Sequence, residues 1–315
     1  MSDLAPQTLA AIDIGSNSIK LTVARRLRDG MEEFFWSSET VRLGEGMEAT
    51  GRLGEARMAA ATDTLARFAE TARELGAERT LAVATEAIRV AANGSEFLAA
   101  VVRATGIEAA IVDGDREAAL TFAGLAATVD LRGSMVVADI GGASTELIVA
   151  LDGLVLGARS FPIGSGRLTD RFVREDPPLP SELTRCRGAA AATVAGEPTT
   201  IPLPAGAGVR LTLVGGTGEY LGKLVDVEQG ITAAAVERVL DRLAGVPASV
   251  LAVELAVVEA RARVLPAGVA IAAAVADLVR PDAIGVARSG IRAGLLLEAF
   301  GLVPLVAEEE DDGVR

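Results

Sequence analysis

Apolar and polar positions in this sequence follow two spacings, one typical of strands and one typical of helices. Residues 9–23 alternate as a strand, a polar turn and a second strand, and residues 33–38 predict a third strand. Beyond them, helical segments alternate with short apolar segments. Helices are predicted over residues 55–75, 86–92, 95–105, 115–127, 167–174, 181–195, 232–243, 250–256, 266–279 and 290–300, and further strands over 79–85, 107–112, 154–161, 211–214 and 283–286.

The pattern of strand, turn and strand occurs twice. The first copy reads AAIDIGSNSIKL at residues 10–21, and the second, within residues 135–150, contains DIGGASTEL at residues 139–147. Strands that alternate with helices predict an α/β fold, and the repeat predicts two related domains. We assign the first domain to residues 1–125 and the second to 126–304, with a helix near 290–302 that packs back onto the first. The acidic residues 305–315 are predicted to be disordered.

Two counts exclude whole classes of chemistry. The chain has no histidine and a single cysteine, Cys186, which excludes Ser-His-Asp triads, histidine-bound zinc and an internal disulfide framework. Acid–base chemistry must therefore come from Asp, Glu, Lys or Tyr, and a metal would be a hard cation bound by oxygen. The net charge of −13 argues against nucleic acid or a membrane surface as a partner. No secretory signal is visible, so we expect a cytoplasmic protein.

Each copy of the repeated turn combines an acidic residue with a small polar loop. Asp13 and Asp139 each follow an apolar strand, which is an unfavourable place for an unpaired charge. The turns GSNS and GGAS offer closely spaced backbone N–H groups and hydroxyls that bind phosphate oxygens, and an adjacent Asp can bind Mg²⁺. The alternative is a pair of ordinary hairpins with glycine turns and no function. The Asp before each turn favours phosphate binding.

Eight segments of the chain match motifs of one known family. They are AAIDIGSNSIKL, VRLGEGMEATGRL, ATEAIRVAANG, VDGDREAALTFAGL, DIGGASTEL and PIGSGRLTDRF, and, more weakly, ARVLPAGVAI and RSGIRAGLL. On these segments the chain resembles the short, two-domain form of the exopolyphosphatase / guanosine pentaphosphate phosphohydrolase family. The resemblance implies membership of the actin-like ATPase superfamily, and hence an α/β fold in which two ribonuclease H-like domains flank a cleft.

The chain departs from the family pattern in three respects. Ala143 stands where a third glycine is usual in the second turn, and the last helix lacks an acidic residue near its start. The chain also lacks the C-terminal HD-like region of longer members. From this difference we expect activity on short rather than long polyphosphate.

The resemblance implies roles for individual residues. It makes Glu117 the catalytic base that deprotonates an attacking water, with Glu146 and Arg89 completing the catalytic set. The implied Mg²⁺ ligands are Asp139, Asp13 and Glu146. The implied phosphate-binding residues are Gly15, Ser16, Asn17, Ser18, Gly141, Gly142, Ala143, Ser144, Thr145, Gly216 and Thr217.

From the residues alone, plainer alternatives stay open. Glu117 is equally typical of a helix start, Glu146 of an exposed strand and Arg89 of a helix surface. Gly216 and Thr217 also fit a simple turn between a strand and a helix. Four arginines are candidates for a local basic patch that binds phosphate: Arg25, Arg167, Arg171 and Arg292. Each is also typical of a protein surface.

The function that these observations favour is Mg²⁺-dependent hydrolysis of the terminal phosphate of inorganic polyphosphate. A guanosine pentaphosphate 5′-phosphohydrolase is the first alternative, because it needs the same fold and the same site. A non-catalytic regulator that binds guanosine tetraphosphate, guanosine pentaphosphate or polyphosphate is the second, and an ATP-dependent kinase is the third. By analogy with the family, we expect a homodimer.

Overall fold

The computed structural model describes residues 7–196, 203–205, 208–225 and 231–302. The predicted acidic tail, residues 305–315, lies outside this range. Within the described part of the chain, ten strands form two sheets of five strands each, with helices on their faces. Most predicted strands and helices agree with these elements to within a few residues.

The first sheet is built from the first third of the chain. Its strands are β1 (Thr8–Ile14), β2 (Ser18–Leu27), β3 (Gly30–Thr40), β4 (Arg79–Ala84) and β5 (Ala109–Ile111). Their order is β3-β2-β1-β4-β5, in which β1, β2 and β3 are antiparallel neighbours and β4 and β5 run parallel to β1. The six central and C-terminal residues of β1 are all buried, because β1 is the middle strand.

Five helices lie in the same part of the chain. They are α1 (Met47–Thr50), α2 (Glu55–Glu74), α3 (Glu86–Val90), α4 (Gly94–Thr105) and α5 (Gly114–Ala126). Helix α2 presents Leu65 and Phe68, and α4 presents Phe97 and Val101, to the core on one face of the first sheet. Helix α2 ends before Gly76, whose positive φ of 80° is the left-handed conformation that glycine adopts at helix C-termini.

The second sheet repeats the first. Its strands are β6 (Ser134–Ile140), β7 (Thr145–Leu151), β8 (Leu154–Phe161), β9 (Val209–Val214) and β10 (Ala283–Ala287). Their order is β10-β9-β6-β7-β8, so each sheet has three antiparallel strands followed by two that run parallel to its first strand. This shared order is the ribonuclease H-like arrangement, and it confirms the predicted fold class.

Seven further helices complete the described chain. They are α6 (Ser165–Phe172), α7 (Pro180–Gly196), α8 (Gly215–Leu224), α9 (Ala233–Leu243), α10 (Ala248–Leu255), α11 (Glu259–Val279) and α12 (Ile291–Ala299). Helices α7, α9, α10 and α11 form one large apolar core with a face of the second sheet.

Two helices cross between the sheets. Helix α5 precedes the second sheet in the chain yet packs Phe122 and Leu125 against that sheet, whereas α12 packs Leu296 and Phe300 against the first. The two helices touch at glycines, since a Cβ on Gly294 would lie 1.9 Å from the carbonyl oxygen of Leu120. The C-terminal helix therefore returns to the first sheet, and α5 links the two halves of the molecule.

Two helices differ from the sequence-based prediction. Helix α8 was not predicted, since only residues 215–217 of its glycine-rich sequence GGTGEYLGKL were interpreted, as a loop or a turn before a helix. A Cβ on Gly218 would lie 2.9 Å from the carbonyl oxygen of Leu213, so glycine lets this helix pack closely on β9. Helix α11 was predicted to start at Pro266 but starts at Glu259. Burial of almost every side chain around this proline outweighs the hydrogen bond that it cannot donate.

Helix α11 is also the one described helix that is long and apolar enough to cross a membrane by length and composition. In this structure 83% of its most apolar window is buried inside the protein. It lies in the core against α6, α7, α9 and α10. A core helix satisfies the same length and composition test, and the packing accounts for its apolar sequence.

Candidate active site

The two repeated turns share one backbone geometry. In the first turn the amide of Gly15 donates to the carbonyl oxygen of Ser18 at 3.1 Å, and in the second the amide of Gly141 donates to that of Ser144 at 3.0 Å. A Cβ on either glycine would lie 2.9 or 3.0 Å from the same carbonyl oxygen, so a side chain there would be crowded. The repeat in sequence is therefore a repeat in structure.

The turns meet across the cleft between the two sheets. A Cβ on Gly142 would lie 2.8 Å from the Cβ atom of Asn17. Between them is a cavity of about 80 Å³, which we call the narrow cavity and which has room for a small anion. The turn residues that line it are Gly15, Ser16, Asn17, Ser18, Gly141, Gly142, Ala143 and Ser144.

Ala143 fits its turn without backbone strain. Among the described residues other than glycine, positive φ values occur only at Arg42, Asp152, Ala256 and Arg280. Ala143 therefore keeps an ordinary backbone conformation, and the departure from the usual third glycine does not require the left-handed region. The methyl group is mostly buried, at 7% exposure, and the residue still lines the narrow cavity.

Glu117 lines the narrow cavity. It occupies the first turn of α5, where Asp113 caps the helix by accepting a hydrogen bond from the amide of Arg116 at 2.8 Å. Its side chain lines the narrow cavity, and its Oε2 atom is buried with no hydrogen-bond partner in the described part of the chain. An ionisable oxygen that faces a cavity without a partner is available to a ligand or a water molecule.

Burial and neighbouring carboxylates strengthen Glu117 as a base. Burial raises the pKa of Glu117 well above its ordinary value, and the negative charges of Glu146, Asp139 and Asp13 raise it further. The positive charge of Arg89 opposes this shift. A carboxylate with a raised pKa accepts a proton from water more readily than an exposed one, which is the property a general base requires.

Glu146 does not line the narrow cavity, although it pairs across the second hairpin with Asp139, which does. It is 1% exposed, and its Oε1 atom accepts a hydrogen bond from the hydroxyl of Ser160 at 2.7 Å. Burial and the charge of Asp139 raise the pKa of Glu146 to about 8, although hydrogen bonds from Ser160 and Ser144 oppose the shift. Its effect on the cavity is therefore electrostatic, through the pKa of Glu117.

The acidic residues before the two turns have different partners. Asp13 lies opposite Lys20 on β2, and their charged atoms are 3.7 Å apart. Asp139 lies opposite Glu146 at the equivalent position of the second hairpin, and its Oδ2 atom accepts a hydrogen bond from Thr121 at 3.2 Å. Lys20 in one hairpin and Glu146 in the other make the first side of the cleft more positive than the second.

A second and larger cavity opens directly from the first. It measures about 590 Å³, and we call it the wide cavity. The residues that line both cavities are Ser18, Lys20, Gly215, Gly216, Arg261, Arg288 and Arg292. With Lys223, five cationic side chains among the described residues line the wide cavity, against the two carboxylates Glu39 and Glu219. A local excess of positive charge therefore lies within a chain of net charge −13.

A third and smaller cavity lies on the other side of the two turns. It measures about 30 Å³ and is lined by residues of both halves of the chain. Arg42 pairs with Asp170 at 2.7 Å, and Arg167 pairs with Glu86 at 3.0 Å, so two ion pairs join the halves on this side. The wide cavity therefore offers an extended ligand far more room than this side does.

Mg²⁺, which the family resemblance implies, fits the oxygen atoms of the site. Asp13 and Asp139 both line the narrow cavity, and carboxylate oxygens are ligands that Mg²⁺ prefers. Within the described chain no group of three acidic or cysteine side chains is arranged to hold a metal ion. Such a site suits an ion that is held by one or two carboxylates together with waters and substrate phosphates, as Mg²⁺ commonly is.

Arg89, Thr145 and Glu146, which belong to the predicted set, do not line the narrow cavity. Arg89 donates from Nη1 to the carbonyl oxygen of Val112 at 2.6 Å, so its guanidinium is held by backbone. Thr145 is fully buried and its hydroxyl donates to the carbonyl oxygen of Ile163. Glu146, predicted to bind metal, is hydrogen-bonded to Ser160 behind the turn. Arg89 and Thr145 are therefore held by backbone oxygens, whereas Glu146 shares the sheet face of Asp139 and is held by Ser160.

The pair Gly216 and Thr217 divides between the cavity and the core. Gly216 lines both cavities, and a Cβ there would lie 1.9 Å from the Nη2 atom of Arg261, so glycine makes room for the guanidinium. Thr217 is 1% exposed and packs against Gly268 of α11. Because these residues begin α8, successive side chains point in different directions, and Thr217 turns into the core rather than toward the cleft.

Sequence reasoning missed two arginines of the cavities. Arg261 and Arg288 line both, although the sequence indicated neither as a site residue. Arg292, one of four arginines considered for a basic patch, does line both. Of the others, Arg25 lies over the ring of Phe34, Arg171 lies over that of Phe172, and Arg167 pairs with Glu86. Arg288 could have been found from the sequence, because it begins RSGIRAGLL, one of the segments that match the family motifs.

Comparisons with known proteins agree on one family. A model described as the Ppx/GppA phosphatase family matches residues 22–302. The chain is 32% identical over 177 residues to a guanosine-5′-triphosphate,3′-diphosphate pyrophosphatase of Pseudoalteromonas translucida, which covers 56% of the chain and 36% of that protein. It is 34% identical over 194 residues to exopolyphosphatase 2 of Mycobacterium tuberculosis, which covers 58% of the chain and 60% of that protein.

A solved structure shares the fold over almost the whole chain. The crystal structure of an Aquifex aeolicus member of the same family is 28% identical and superposes with a TM-score of 0.73. The match covers 93% of this chain and 97% of that one. The chain spans between about a third and 60% of the length of the two curated relatives named above.

Proposed function

Because the chain belongs to the Ppx/GppA phosphatase family, we propose that it is a phosphoric anhydride hydrolase that releases the terminal phosphate of inorganic polyphosphate. One observation carries the proposal: two matching glycine turns meet around a small cavity that contains the unpartnered oxygen of Glu117. An anion-binding pair of turns beside a carboxylate of raised pKa is the arrangement that phosphate hydrolysis by water requires.

The terminal phosphate occupies the narrow cavity. Backbone N–H groups and hydroxyls of the two turns surround it, with Ser16 and Ser18 on one side and Ser144 on the other. Lys20 adds a positive charge at the edge of the same cavity. Because the turns belong to the two halves of the molecule, both halves must come together before the phosphate is fully enclosed.

Glu117 activates the attacking water. Its free Oε2 atom accepts a hydrogen bond from a water molecule in the narrow cavity and then takes the proton as the water oxygen bonds to phosphorus. Arg89 favours the ionised form of Glu117 through its positive charge, although its own guanidinium binds the carbonyl oxygen of Val112. Arg89 therefore acts as a positioning residue in this proposal.

We propose Mg²⁺ as the cofactor, with Asp13 and Asp139 as its protein ligands. When bound, the ion supplies positive charge that offsets the charge of the phosphates. Lys20 and the arginines of the wide cavity add positive charge that does not depend on the metal. The wide cavity, at about 590 Å³, limits how much of a polyphosphate chain the protein encloses, which supports a preference for short chains.

A specific observation also favours guanosine pentaphosphate as a second candidate substrate. The wide cavity is lined by Trp36 of β3 and Tyr220 of α8, and inorganic polyphosphate has no apolar surface for them to contact. Arg288 lies 5.9 Å from the ring centre of Trp36, and Arg261 lies 5.2 Å from that of Tyr220. Aromatic rings beside guanidinium groups suit a base that carries phosphates.

A single assay separates these candidates. Orthophosphate release is measured with Mg²⁺ for polyphosphates of defined length, from three phosphates upward, beside guanosine pentaphosphate at the same concentration. We expect release from polyphosphate, fastest for the shorter chains, and none after removal of Mg²⁺ with a chelator. Faster release from guanosine pentaphosphate than from any polyphosphate would instead support the second candidate. Tight binding of both without release would contradict the proposal of an enzyme.

A further inference from the structure

The N-terminus of α12 opens onto the cleft. Gly290, Ile291 and Arg292 all line the narrow cavity, and no side chain in the described part of the chain caps the helix. The helix has nine residues, so its first N–H groups and its dipole favour an anion at this end. The side chain of Arg292 gives a second and independent indication of an anion at the same place.

Arg292 presents an unpartnered N–H donor at this helix terminus. Its Nη1 atom is buried and has no hydrogen-bond partner in the described part of the chain. Asp13, Glu33 and Asp139 are close enough to influence the guanidinium electrostatically. None of them accepts a hydrogen bond from Nη1. A buried N–H donor on a cation is costly to leave unpaired, which indicates a ligand that accepts the bond.

The position of Arg292 defines which part of a ligand it contacts. Arg292 lines both the narrow and the wide cavity, whereas Glu117 lines only the narrow one. A terminal phosphate beside Glu117 therefore places the following phosphate at the junction of the two cavities. The wide cavity has room for the rest of the phosphate chain, since it measures about 590 Å³ against about 30 Å³ on the other side of the turns.

We propose that Arg292 and the N-terminus of α12 form a subsite for the second phosphate of the substrate, the one that leaves. The inference rests on the proposed function, because it requires a phosphate chain with its end beside Glu117. In the reaction the water oxygen bonds to the terminal phosphorus and Glu117 takes its proton. The bond from that phosphorus to the bridging oxygen breaks, and its electron pair stays on the oxygen of the departing chain. Arg292 stabilises the charge that develops there.

The proposal gives α12 a role in recognising chain length. Orthophosphate fills only the narrow cavity, whereas pyrophosphate and tripolyphosphate also reach the junction. Loss of Arg292 therefore weakens binding of the longer ligands selectively. A purely structural role for Arg292, as a counter-ion for Asp13 and Asp139, would instead affect all three ligands alike.

The test is a calorimetric comparison of three ligands at a fixed concentration of Mg²⁺. Orthophosphate, pyrophosphate and tripolyphosphate are titrated into proteins that also have Glu117→Gln, which prevents turnover. We expect Arg292→Ala to weaken pyrophosphate and tripolyphosphate binding about tenfold or more, and orthophosphate binding less than about twofold. Arg292→Lys keeps the charge but loses the planar fork, so it weakens the two longer ligands by about threefold. Arg103→Ala, an exposed arginine of α4, is the matched control and changes nothing.

Equal weakening of all three ligands, or no change for any, overturns the proposal. If Arg292→Ala does not fold, Arg292→Lys still gives the ligand-selective comparison. The wild-type chain separates this inference from the proposed function. If it releases no phosphate but its variants show the length-dependent loss of binding, hydrolysis is refuted and the second-phosphate subsite stands.

Discussion

Glu182 is a buried carboxylate that holds the backbone before α7 in place. Burial opposes ionisation, but hydrogen bonds from the amides of Arg174 at 2.8 Å and Leu179 at 3.0 Å outweigh it and lower the pKa of Glu182. A lowered pKa in the folded state contributes stability above the unfolded value and loses it as pH falls through the folded value. Glu182→Gln should therefore cost about 1–3 kcal/mol of unfolding free energy at pH 7.

Denaturant unfolding at several pH values checks this prediction. The difference between wild type and Glu182→Gln should shrink as pH falls from 5 toward 3. Glu108→Gln is the matched control, because Glu108 is exposed, and it should leave stability unchanged within about 0.5 kcal/mol. A difference of constant size over the whole pH range would mean that shape, not charge, explains the role of Glu182.

Single residues of the site could be predicted from sequence where the backbone itself forms the site. The glycine turns and Asp13 and Asp139 were predicted because their chemistry follows from a short continuous segment. Arg89 and Thr145 lie in matching segments, yet their side chains bind backbone oxygens away from the cavity. The direction of a side chain depends on packing against distant elements, which the sequence does not give.

At the level of elements, the crossing of α5 and α12 is the closest helix contact described above. A Cβ on Gly294 would lie 1.9 Å from the carbonyl oxygen of Leu120, so Gly294→Ala forces the helices apart. We expect a loss of about 1–3 kcal/mol of unfolding free energy, from overpacking. Gly188→Ala in α7 is the control: no atom lies within 4 Å of the added Cβ, and the helix should gain about 0.5–1 kcal/mol.

Thermal unfolding of the two glycine variants checks this prediction. Gly294→Ala should also slow phosphate release, because α5 carries Glu117 and α12 carries Arg292. Equal stability of the two variants would contradict the close helix crossing.

The elements themselves were largely predictable from apolar spacing. Helix α8 and the start of α11 were not, because tertiary packing there outweighs the low helix propensity of glycine and proline.

At the level of the whole molecule, local and net charge predict opposite salt effects. The net charge of −13 repels a polyanion at long range, whereas five cations line the wide cavity against two carboxylates. Screening acts over about 8–10 Å at physiological ionic strength, so the nearby cations dominate. Tripolyphosphate binding by the Glu117→Gln variant should therefore weaken as KCl rises from about 50 to 500 mM at constant free Mg²⁺. Binding that tightens with salt would mean that net repulsion controls affinity.

The paired sheets were predictable at this scale because the repeat is encoded in two similar segments. The exchange of α5 and α12 between the sheets was only partly predictable from the sequence. The return of the last helix to the first sheet was expected, but α5 was assigned to the first domain and packs on the second sheet. The chain order of elements determines which strands can be neighbours, whereas which apolar faces meet depends on the assembled molecule.

The central claim is that Glu117 deprotonates the water that attacks the terminal phosphate. Its most direct test is orthophosphate release from tripolyphosphate at saturating Mg²⁺ by wild type, Glu117→Gln and Asp115→Asn. Asp115 lies in the same helical turn, is exposed, and does not line the cavity. We predict that Glu117→Gln lowers kcat at least about 100-fold while still binding tripolyphosphate, and that Asp115→Asn retains wild-type turnover. Wild-type turnover by Glu117→Gln would contradict the account.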